Sequence, residues 1–254
     1  MAVIGIDLGT TNSLAGVWQD GKVVLIPNAF GEYLTPSVVG IGKNQEVFVG
    51  SVAKEMLATQ PYDTFREFKR NMGTNFLYGN GRKKYRAEEL SAFVLRRLKE
   101  DAEKFLGEEV TEAVISVPAY FDDNKRNATK NAGRLAGLKV ERLINEPSAV
   151  ALKHHTAEKG AESFIVFDFG GGTLDVSLVE AFDNVVEIQA VAGDNYLGGK
   201  DFNEIIAQDF YEQNQISEAY LTKNEQENVL KEAEAVKKEL TDKNEAERQV
   251  YIKG

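Results

Sequence analysis

Cysteine is absent from this sequence of 254 residues. The chain therefore forms no disulfide within itself and offers no thiolate ligand for zinc or for an iron–sulfur cluster. Only two histidines are present, and His154 and His155 are adjacent, so their side chains diverge and lack the spacing of a metal-binding pair. We expect both to be solvated residues near a helix end.

Long apolar runs and positive charge are also scarce. No apolar stretch approaches the roughly 20 residues that cross a bilayer, and the N-terminal residues lack the basic start of a signal peptide. Lys and Arg number 30 against 40 Asp and Glu, which gives a formal net charge of −10. Because an acidic surface repels phosphate backbones, we expect a protein that does not bind nucleic acid. From the missing cysteines, signal peptide and membrane-spanning stretch, we expect a cytoplasmic protein that does not bind membrane. A polyanionic ligand would need a local site of backbone N–H groups, lysines and metal.

Hydrophobic periodicity divides the chain into alternating strands and helices, which indicates an α/β fold. The predicted strands cover residues 3–7, 13–19, 22–27, 35–41, 47–49, 113–117, 140–144, 163–168, 173–180, 185–191 and, at the end of the chain, 249–252. The predicted helices cover residues 51–60, 64–72, 87–106, 122–136, a stretch from Pro147, 200–213 and 222–240. Asp20-Gly21 predicts a hairpin turn, and the polar segment around 156–160 predicts a linker.

One local plan occurs twice in the sequence: an apolar strand, an aspartate, a glycine-rich turn, a threonine and a second strand. The first copy lies at residues 6–11 and the second at residues 167–173. The two copies are too far apart for a solenoid repeat, so a duplicated lobe explains them better. Because the second copy is followed by few residues, we expect the chain to be a fragment in which the second lobe is incomplete.

The chemistry of such a turn suits a phosphate group. A glycine-rich turn between two strands points successive backbone N–H groups into one concavity, and threonine hydroxyls can add donors. Asp7 and Asp168, each at the end of the preceding strand, would lie beside that concavity, where Mg²⁺ could be bound largely through water. An ordinary tight turn explains either copy alone, whereas the repetition favours one site that holds a triphosphate from both sides.

A second glycine-rich segment, residues 193–201, is not a P-loop. Its lysine is displaced by one position, and Asp201 stands where serine or threonine is required.

Five ordered segments resemble signatures of the DnaK-type heat-shock chaperones, the heat shock protein 70 family. They are residues 5–13, 115–121, 143–149, 167–175 and 193–202. Phe169 and Leu174 are mild departures from the family pattern. The resemblance covers essentially the whole chain, and the region of Trp18 together with residues 26–36 is most similar to the HscC-type branch.

The resemblance implies the actin-like ATPase fold, with duplicated ribonuclease-H-like lobes that are each a mixed sheet with flanking helices. Lobe I would cover residues 1–160, with a peripheral subdomain IB over about 33–110. A partial lobe II would cover residues 161–254, of which 161–200 belong to subdomain IIA and 201–254 begin subdomain IIB.

The resemblance also implies ATP or ADP with Mg²⁺ as ligands, and hydrolysis of ATP in the intact protein. Lys69 matches the catalytic lysine, Glu146 the carboxylate that positions the attacking water, and Asp175 the acid that completes the site. Without the resemblance these residues would be a solvated helix lysine, a helix cap and an exposed strand residue. Asp7 and Asp168 would hold Mg²⁺ through water. The implied phosphate contacts are Gly9, Thr10, Thr11, Asn12, Gly170, Gly171, Gly172, Thr173 and Gly199.

The adenosine-binding helix of the family matches Glu234, Lys237, Lys238 and Thr241, which recur at helical spacing. The family commonly has arginine at the position of Lys238 and serine at that of Thr241. Because a guanidinium stacks on adenine better than an ammonium group, adenine recognition is less well supported than phosphate binding. An exposed charged helix explains the same four residues.

The implied partners are a J-domain co-chaperone, a nucleotide exchange factor, and unfolded peptide bound by a C-terminal domain outside this chain. Pro118 and Arg126 match switch residues that relay the nucleotide state. Ordinary packing or solvated charge explains these residues equally well, and Asp122 stands where asparagine is usual. The positions that match the J-domain contact region are Tyr120, Asp122, Asp123, Arg142 and Asn145.

Two other functions fit the duplicated turns. An actin-like filament protein and a sugar or acetate kinase of the same superfamily share them, although the segments around Lys69 and Tyr120-Phe121 favour the chaperone. We expect the 254-residue chain by itself to bind nucleotide weakly and to turn over little of it.

Overall fold

The computed structural model describes residues 2–79, 83–154, 160–182 and 185–252. Most of the linker predicted around 156–160 lies outside these residues. The strands are β1 (Ala2–Leu8), β2 (Asn12–Gln19), β3 (Lys22–Ile26), β4 (Thr35–Pro36), β5 (Val38–Ile41), β6 (Val47–Val49), β7 (Thr64–Arg66), β8 (Val110–Val117), β9 (Lys139–Asn145), β10 (Glu162–Phe169), β11 (Leu174–Phe182) and β12 (Val185–Asp194). The helices are α1 (Ser51–Thr59), α2 (Ala87–Leu106), α3 (Asp123–Leu135), α4 (Glu146–His154), α5 (Gly199–Gln213) and α6 (Lys223–Glu239).

The largest sheet is built from the N-terminal hairpins and two later parallel strands. Its order is β3-β2-β1-β8-β9, with β4 paired to β2. β1, β8 and β9 run parallel, whereas β1–β2 and β2–β3 are antiparallel. The hairpin predicted at Asp20-Gly21 is confirmed, because both residues have positive φ angles, 50° and 76°, as a tight two-residue turn requires.

Two smaller sheets complete the strand set. β6-β5-β7 forms one and β10-β11-β12 the other. The predicted mixed α/β class is confirmed by the large N-terminal sheet. In the sheet of β10, β11 and β12, both strand pairs within the described residues are antiparallel.

The main core lies between the large sheet and helices α2 and α3. α2 has the boundaries predicted for it, because its apolar side chains recur on one face and Gly107 ends it with a positive φ of 69°. Leu90, Val94 and Leu95 of this face are fully buried in a cluster that also contains Ile4 and Ile115 of the sheet. A second, small core forms where α5 packs on α6.

The helix predicted over residues 64–72 is wrong. Thr64–Arg66 forms β7, which pairs with β5, and only residues 68–71 form a short 3₁₀ helix. Glu67 separates the two with a left-handed backbone, φ 58° and ψ 19°, which no continuous helix accommodates. The β-branched Thr64 and the aromatic Phe65 fill a buried strand, so tertiary packing overrides the helical periodicity.

The strand predicted over residues 249–252 is also wrong. The structure describes these residues without a strand, and Val250 and Ile252 instead pack against the α5–α6 core. Their alternating pattern reflects one buried face of an irregular segment, since no neighbouring strand is available for them in the described residues. Within the described part of the chain, none of the helices combines the length and apolar character of a membrane span.

Candidate functional site

The two aspartate–glycine turns meet at one place in the structure. The first joins β1 to β2 and the second joins β10 to β11, so each connects two antiparallel strands. A Cβ atom added to Gly171 would collide with the side chain of Thr11, and one added to Gly172 would lie 3.2 Å from Cγ2 of Thr10. The turns therefore pack directly against each other, although they are distant in sequence.

Close approach explains the glycines of both turns. A Cβ at Gly9 would collide with the backbone oxygen of Asn12, and the Gly9 carbonyl accepts a hydrogen bond from Ser37 Oγ at 2.7 Å. In the second turn, the Gly170 N–H donates to the Thr173 carbonyl at 2.9 Å. A side chain at Gly9 would widen the first turn, whereas one at Gly170 would make only ordinary contacts with Thr173.

The glycine-rich segment that is not a P-loop supports the second turn from behind. The Gly199 N–H donates to the Gly170 carbonyl at 3.0 Å, and the Lys200 N–H donates to the Gly171 carbonyl at 2.9 Å. The loop is held by Asp201, whose Oδ2 accepts from the Gly198 N–H at 2.6 Å. These bonds occupy the carbonyl side of the turn and leave its opposite side to the cavity.

The cavity in front of the turns has a volume of about 780 Å³. Its lining includes both turn aspartates together with Lys69 and Glu146, and reaches Tyr196 on the C-terminal side. The predicted site residues that line it are Asp7, Gly9, Thr10, Thr11, Asn12, Lys69, Glu146, Asp168, Gly170, Gly171 and Thr173. Such a volume falls within the ordinary range of small-molecule sites.

The large sheet positions Asp7. Asp7 is paired with Ser116 in the parallel register of β1 and β8, and Ser116 Oγ donates to Asp7 Oδ1 at 2.9 Å. Asp168 and Asp175 are directly opposite in the β10–β11 pair. Asp175 lies beside the main cavity, in a small pocket that Asp168 and Glu146 also line.

Lys69 is a buried lysine. Its Nζ lies 2.9 Å from Glu146 Oε1 and 5.9 Å from the centre of the Phe121 ring, and only 9% of its side chain is exposed. The 3₁₀ turn that begins after Glu67 directs Lys69 inward, which a solvated helix would not do. Glu146 begins α4 immediately after β9, so the end of a parallel strand carries it to the same place.

Burial raises the pKa of three carboxyl groups in the site. Burial, and then the nearby Asp7, raise the pKa of Asp168. Burial also raises the pKa of Asp175, and the charge of Asp168 adds to that increase. Burial raises the pKa of Glu146 despite the opposing charge and hydrogen bond of Lys69. Each anion here is therefore less stable than in water, and a bound cation would relieve that cost.

This donor set fits magnesium held through water. No group of three or more Asp, Glu, His or Cys side chains converges as a direct metal cage within the described residues. Mg²⁺ keeps most of its waters and commonly uses only one or two carboxylates besides phosphate oxygens. Asp7 and Asp168, which face one cavity and repel each other, match that requirement.

The predicted adenosine-binding residues lie outside the main cavity. Glu234 pairs with Lys54 Nζ and with Lys238 Nζ, at 2.8 Å and 2.6 Å. Lys237 Nζ donates to the Gly199 carbonyl at 2.5 Å. α6 ends at Glu239, so Thr241 follows the helix instead of sharing its face. The sequence pattern thus placed three of the four residues on one helix, and their side chains are engaged with each other or with neighbouring elements.

The residues matched to the partner-contact region gather around the start of α3. Arg126 donates to the Phe121 carbonyl at 2.8 Å and to Asn145 Oδ1 at 2.7 Å, which connects α3 to the end of β9. Asp122 caps α3 by accepting from the Lys125 N–H at 2.9 Å. The exposed members of the set are Asp122, Asp123 and Arg142, whereas Tyr120 and Asn145 are half-buried. Pro118 lines the main cavity next to Tyr120.

Three site residues were missed by sequence reasoning. Ser116 is detectable only through the register of β8 beside β1. Arg70 and Tyr196 both line the main cavity, and their cation–π contact of 5.7 Å depends on the approach of two distant segments. No local sequence pattern distinguishes Arg70 from the other arginines of the chain.

Comparison with protein families agrees with this geometry. The family model described as Hsp70 protein matches residues 3–80 and 77–254. The match covers nearly the whole chain and includes both turns, Lys69 and Glu146. The mixed α/β architecture is that of the actin-like ATPase fold of the family, whose domains bind nucleotide, and the chain belongs to the Hsp70 family.

Proposed function

We propose that the chain is the ATP-binding and ATP-hydrolysing domain of a molecular chaperone, with lobes divided as the sequence predicts. Lobe I covers residues 1–160, with subdomain IB at about 33–110, and the partial lobe II covers residues 161–254. The observation that carries the proposal is the contact between Gly171 and Thr11 in front of a cavity lined by Asp7, Asp168 and the Lys69–Glu146 pair. The Hsp70 match favours this function over a filament protein or a metabolite kinase.

The two turns would hold the phosphates of one nucleotide from opposite sides. Their backbone N–H groups and threonine hydroxyls are donors that cost no reorganisation, because the packing of turn against turn already holds them in place. Asp7 and Asp168 would hold Mg²⁺ through water, which would neutralise charge on the phosphate oxygens. Phosphoryl transfer depends mainly on positioning and charge neutralisation, and both are available here.

Glu146 and Lys69 would act on the attacking water and the terminal phosphate. Lys69 occupies Oε1 of Glu146, so Oε2 can accept a hydrogen bond from water and orient it. The raised pKa of Glu146 makes it a stronger base than an ordinary carboxylate. The Lys69 ammonium group would stabilise negative charge that moves toward the leaving oxygens. Asp175, opposite Asp168, would complete the acidic side of the site.

Adenine recognition is the weakest part of the proposed site. Lys238 is bound to Glu234, its side chain is 66% exposed, and neither residue reaches the main cavity. We therefore propose that residues 1–254 alone bind nucleotide weakly. The HscC-type assignment rests on the region of Trp18 and residues 26–36.

In the intact protein, we propose, ATP binding closes the lobes and controls a peptide-binding domain. A J-domain co-chaperone would contact the surface that includes Asp122, Asp123 and Arg142, and Arg126 would relay the nucleotide state through Asn145. An exchange factor would release ADP. The protein would act in the cytoplasm.

Single-turnover hydrolysis of ATP tests the catalytic assignment. Lys69→Ala in the intact protein should lower the hydrolysis rate constant by about 100-fold or more, because an electrostatic group of the transition state is lost. Lys231→Ala removes another lysine from an ion pair, with Glu55, but both side chains are largely exposed, so its rate should match wild type. Equal rates for Lys69→Ala and wild type would remove this lysine from the mechanism. Rapid turnover by residues 1–254 alone would contradict the proposal that these residues bind nucleotide weakly.

A further inference from the structure

Arg70 connects the two halves of the site through contacts that the proposed catalytic mechanism does not use. Its Nη2 donates to the carbonyl of Gly172, in the second phosphate turn, and its guanidinium lies 5.7 Å from the centre of the Tyr196 ring. Its Nη1 donates to Glu67 Oε2 at 3.2 Å. Arg70 comes from lobe I, whereas Gly172 and Tyr196 belong to lobe II. One planar side chain therefore links a lobe I carboxylate to the turn of the opposite lobe.

Glu67 extends the connection to a third element. Its Oε2 also lies 2.9 Å from Lys200 Nζ, at the start of α5, and the Lys200 N–H holds the Gly171 carbonyl. Glu67 thus pairs with Lys200 of lobe II and with two cations of lobe I, Arg70 at 3.2 Å and the more distant Arg66 at 3.8 Å. Its left-handed backbone is unfavourable for a residue with a side chain and persists only where surrounding contacts hold it.

The guanidinium is not fully satisfied by these contacts. Arg70 Nε is buried and has no hydrogen-bond partner among the described residues. A buried donor without a partner destabilises the arrangement that contains it. Arg70 therefore joins Glu67 to Gly172 and Tyr196 while one of its own buried donors has no partner among the described residues.

We propose that Arg70, Glu67 and Lys200 form an inter-lobe clasp in which Arg70 is the positioning residue that sets the separation of the two phosphate turns. The inference rests on the proposed nucleotide-binding function. It adds Arg70 as a residue that acts on the phosphate site indirectly, by holding the turn that contains Gly172. Without the guanidinium, the Gly172 carbonyl loses its lobe I partner, and the contact between the turns becomes looser. A lysine at this position keeps the charge but cannot donate to Glu67 and Gly172 while lying flat over Tyr196.

A distance measurement between the lobes tests the clasp without nucleotide. The chain has no cysteine, so Lys43→Cys in lobe I and Ser217→Cys in lobe II, both exposed, introduce unique positions for spin labels. Arg70→Ala should lengthen and broaden the distance distribution between the labels, and Arg70→Lys should give an intermediate result. Lys231→Ala, which breaks the exposed inter-lobe pair with Glu55, is the matched control and should leave the distribution unchanged.

Calorimetry of Mg·ADP binding to the same variants distinguishes failure of the clasp proposal from failure of the proposed nucleotide-binding function. Arg70→Ala should raise the Kd by about tenfold, and Arg70→Lys should recover part of that loss. An unchanged distance distribution in Arg70→Ala would overturn the clasp, even if wild type binds nucleotide. A changed distribution in an intact protein that does not bind Mg·ADP would retain the clasp and overturn the proposed function.

Discussion

Removal of Lys69 should destabilise the protein in a way that depends on pH. Lys69→Ala leaves Glu146 as a buried carboxylate without its cation, in a place where burial already raises its pKa. Breaking a fully buried pair by removing one partner costs about 3–5 kcal/mol. Glu146 keeps 18% of its side-chain exposure and faces a cavity, so water can relieve part of the penalty. We therefore expect a loss of about 2 kcal/mol in the free energy of unfolding near pH 7.

The sign of the pH dependence follows from the raised pKa. A carboxyl group whose pKa is higher in the folded state favours folding below its unfolded pKa, and that contribution is lost as pH rises through the folded pKa. Without Lys69 the folded pKa of Glu146 rises further. The stability difference between Lys69→Ala and wild type should thus be small below the ordinary value of 4.5 and grow toward neutral pH.

Urea unfolding followed by far-UV circular dichroism measures this difference. Fluorescence is a poor reporter, because Trp18 is the single tryptophan and is 70% exposed. The double variant Lys69→Ala/Glu146→Gln removes the uncompensated charge of Glu146 and should recover about 1 kcal/mol of the lost free energy of unfolding. The Lys231→Ala control should change stability by less than about 1 kcal/mol, as expected for an exposed pair. A loss for Lys69→Ala that is the same at pH 4 and pH 7 would refute the reasoning.

Three further outcomes follow from the site. Gly171→Ala should separate the turns, because the added Cβ would collide with the side chain of Thr11. The Kd for Mg·ADP, measured by calorimetry, should rise by about tenfold or more, and an unchanged Kd would mean that nucleotide binding does not depend on this contact. Asp168→Asn should stabilise the metal-free protein by about 0.5–1 kcal/mol at pH 7 in urea unfolding, since burial and Asp7 disfavour the charge of Asp168, and this gain should disappear below the ordinary pKa of 3.8. Nucleotide affinity of the same variant should depend less on Mg²⁺ than that of wild type, because one of the two carboxylates is lost. Although burial opposes the shift, hydrogen bonds from Lys238 and Lys54 lower the pKa of Glu234 to about 2. Glu234→Gln should therefore lower the free energy of unfolding by about 1–2 kcal/mol above pH 4.5 and by progressively less as pH falls toward 2; a loss that stays constant with pH would contradict the ion pairs.

Local sequence patterns were sufficient for most regular elements. α2 has the predicted boundaries because a long amphipathic face and a terminal glycine specify it without help from distant residues. Short segments behaved differently. Residues 64–72 carry a helical period, yet pairing with β5 and the left-handed Glu67 make them a strand followed by a single turn. Residues 249–252 alternate like a strand but pack on helices, since periodicity reports burial and not a hydrogen-bonding partner.

Some site residues could be predicted from the sequence and others could not, because local patterns do not report contacts between distant segments. The turn residues were recognisable because glycine, aspartate and threonine carry their chemistry within a few positions. Lys69 by itself reads as a solvated lysine, and only the resemblance to the family marked it for the site, where the structure buries it against Glu146. Arg70 and Tyr196 had no signal in the sequence, because their contact joins segments that are distant along the chain.

The order of residues along the chain by itself determined the strand–aspartate–glycine units, their duplication and the acidic, cysteine-free character of the protein. Those properties are local or compositional, and backbone stereochemistry with hydrophobic periodicity is enough to express them. Only the tertiary structure decided that Gly171 abuts Thr11, that Lys69 is buried with Glu146, and that Arg70 donates to the Gly172 carbonyl. Each of those contacts depends on how distant elements pack, and the free energy of that packing is not contained in any one segment.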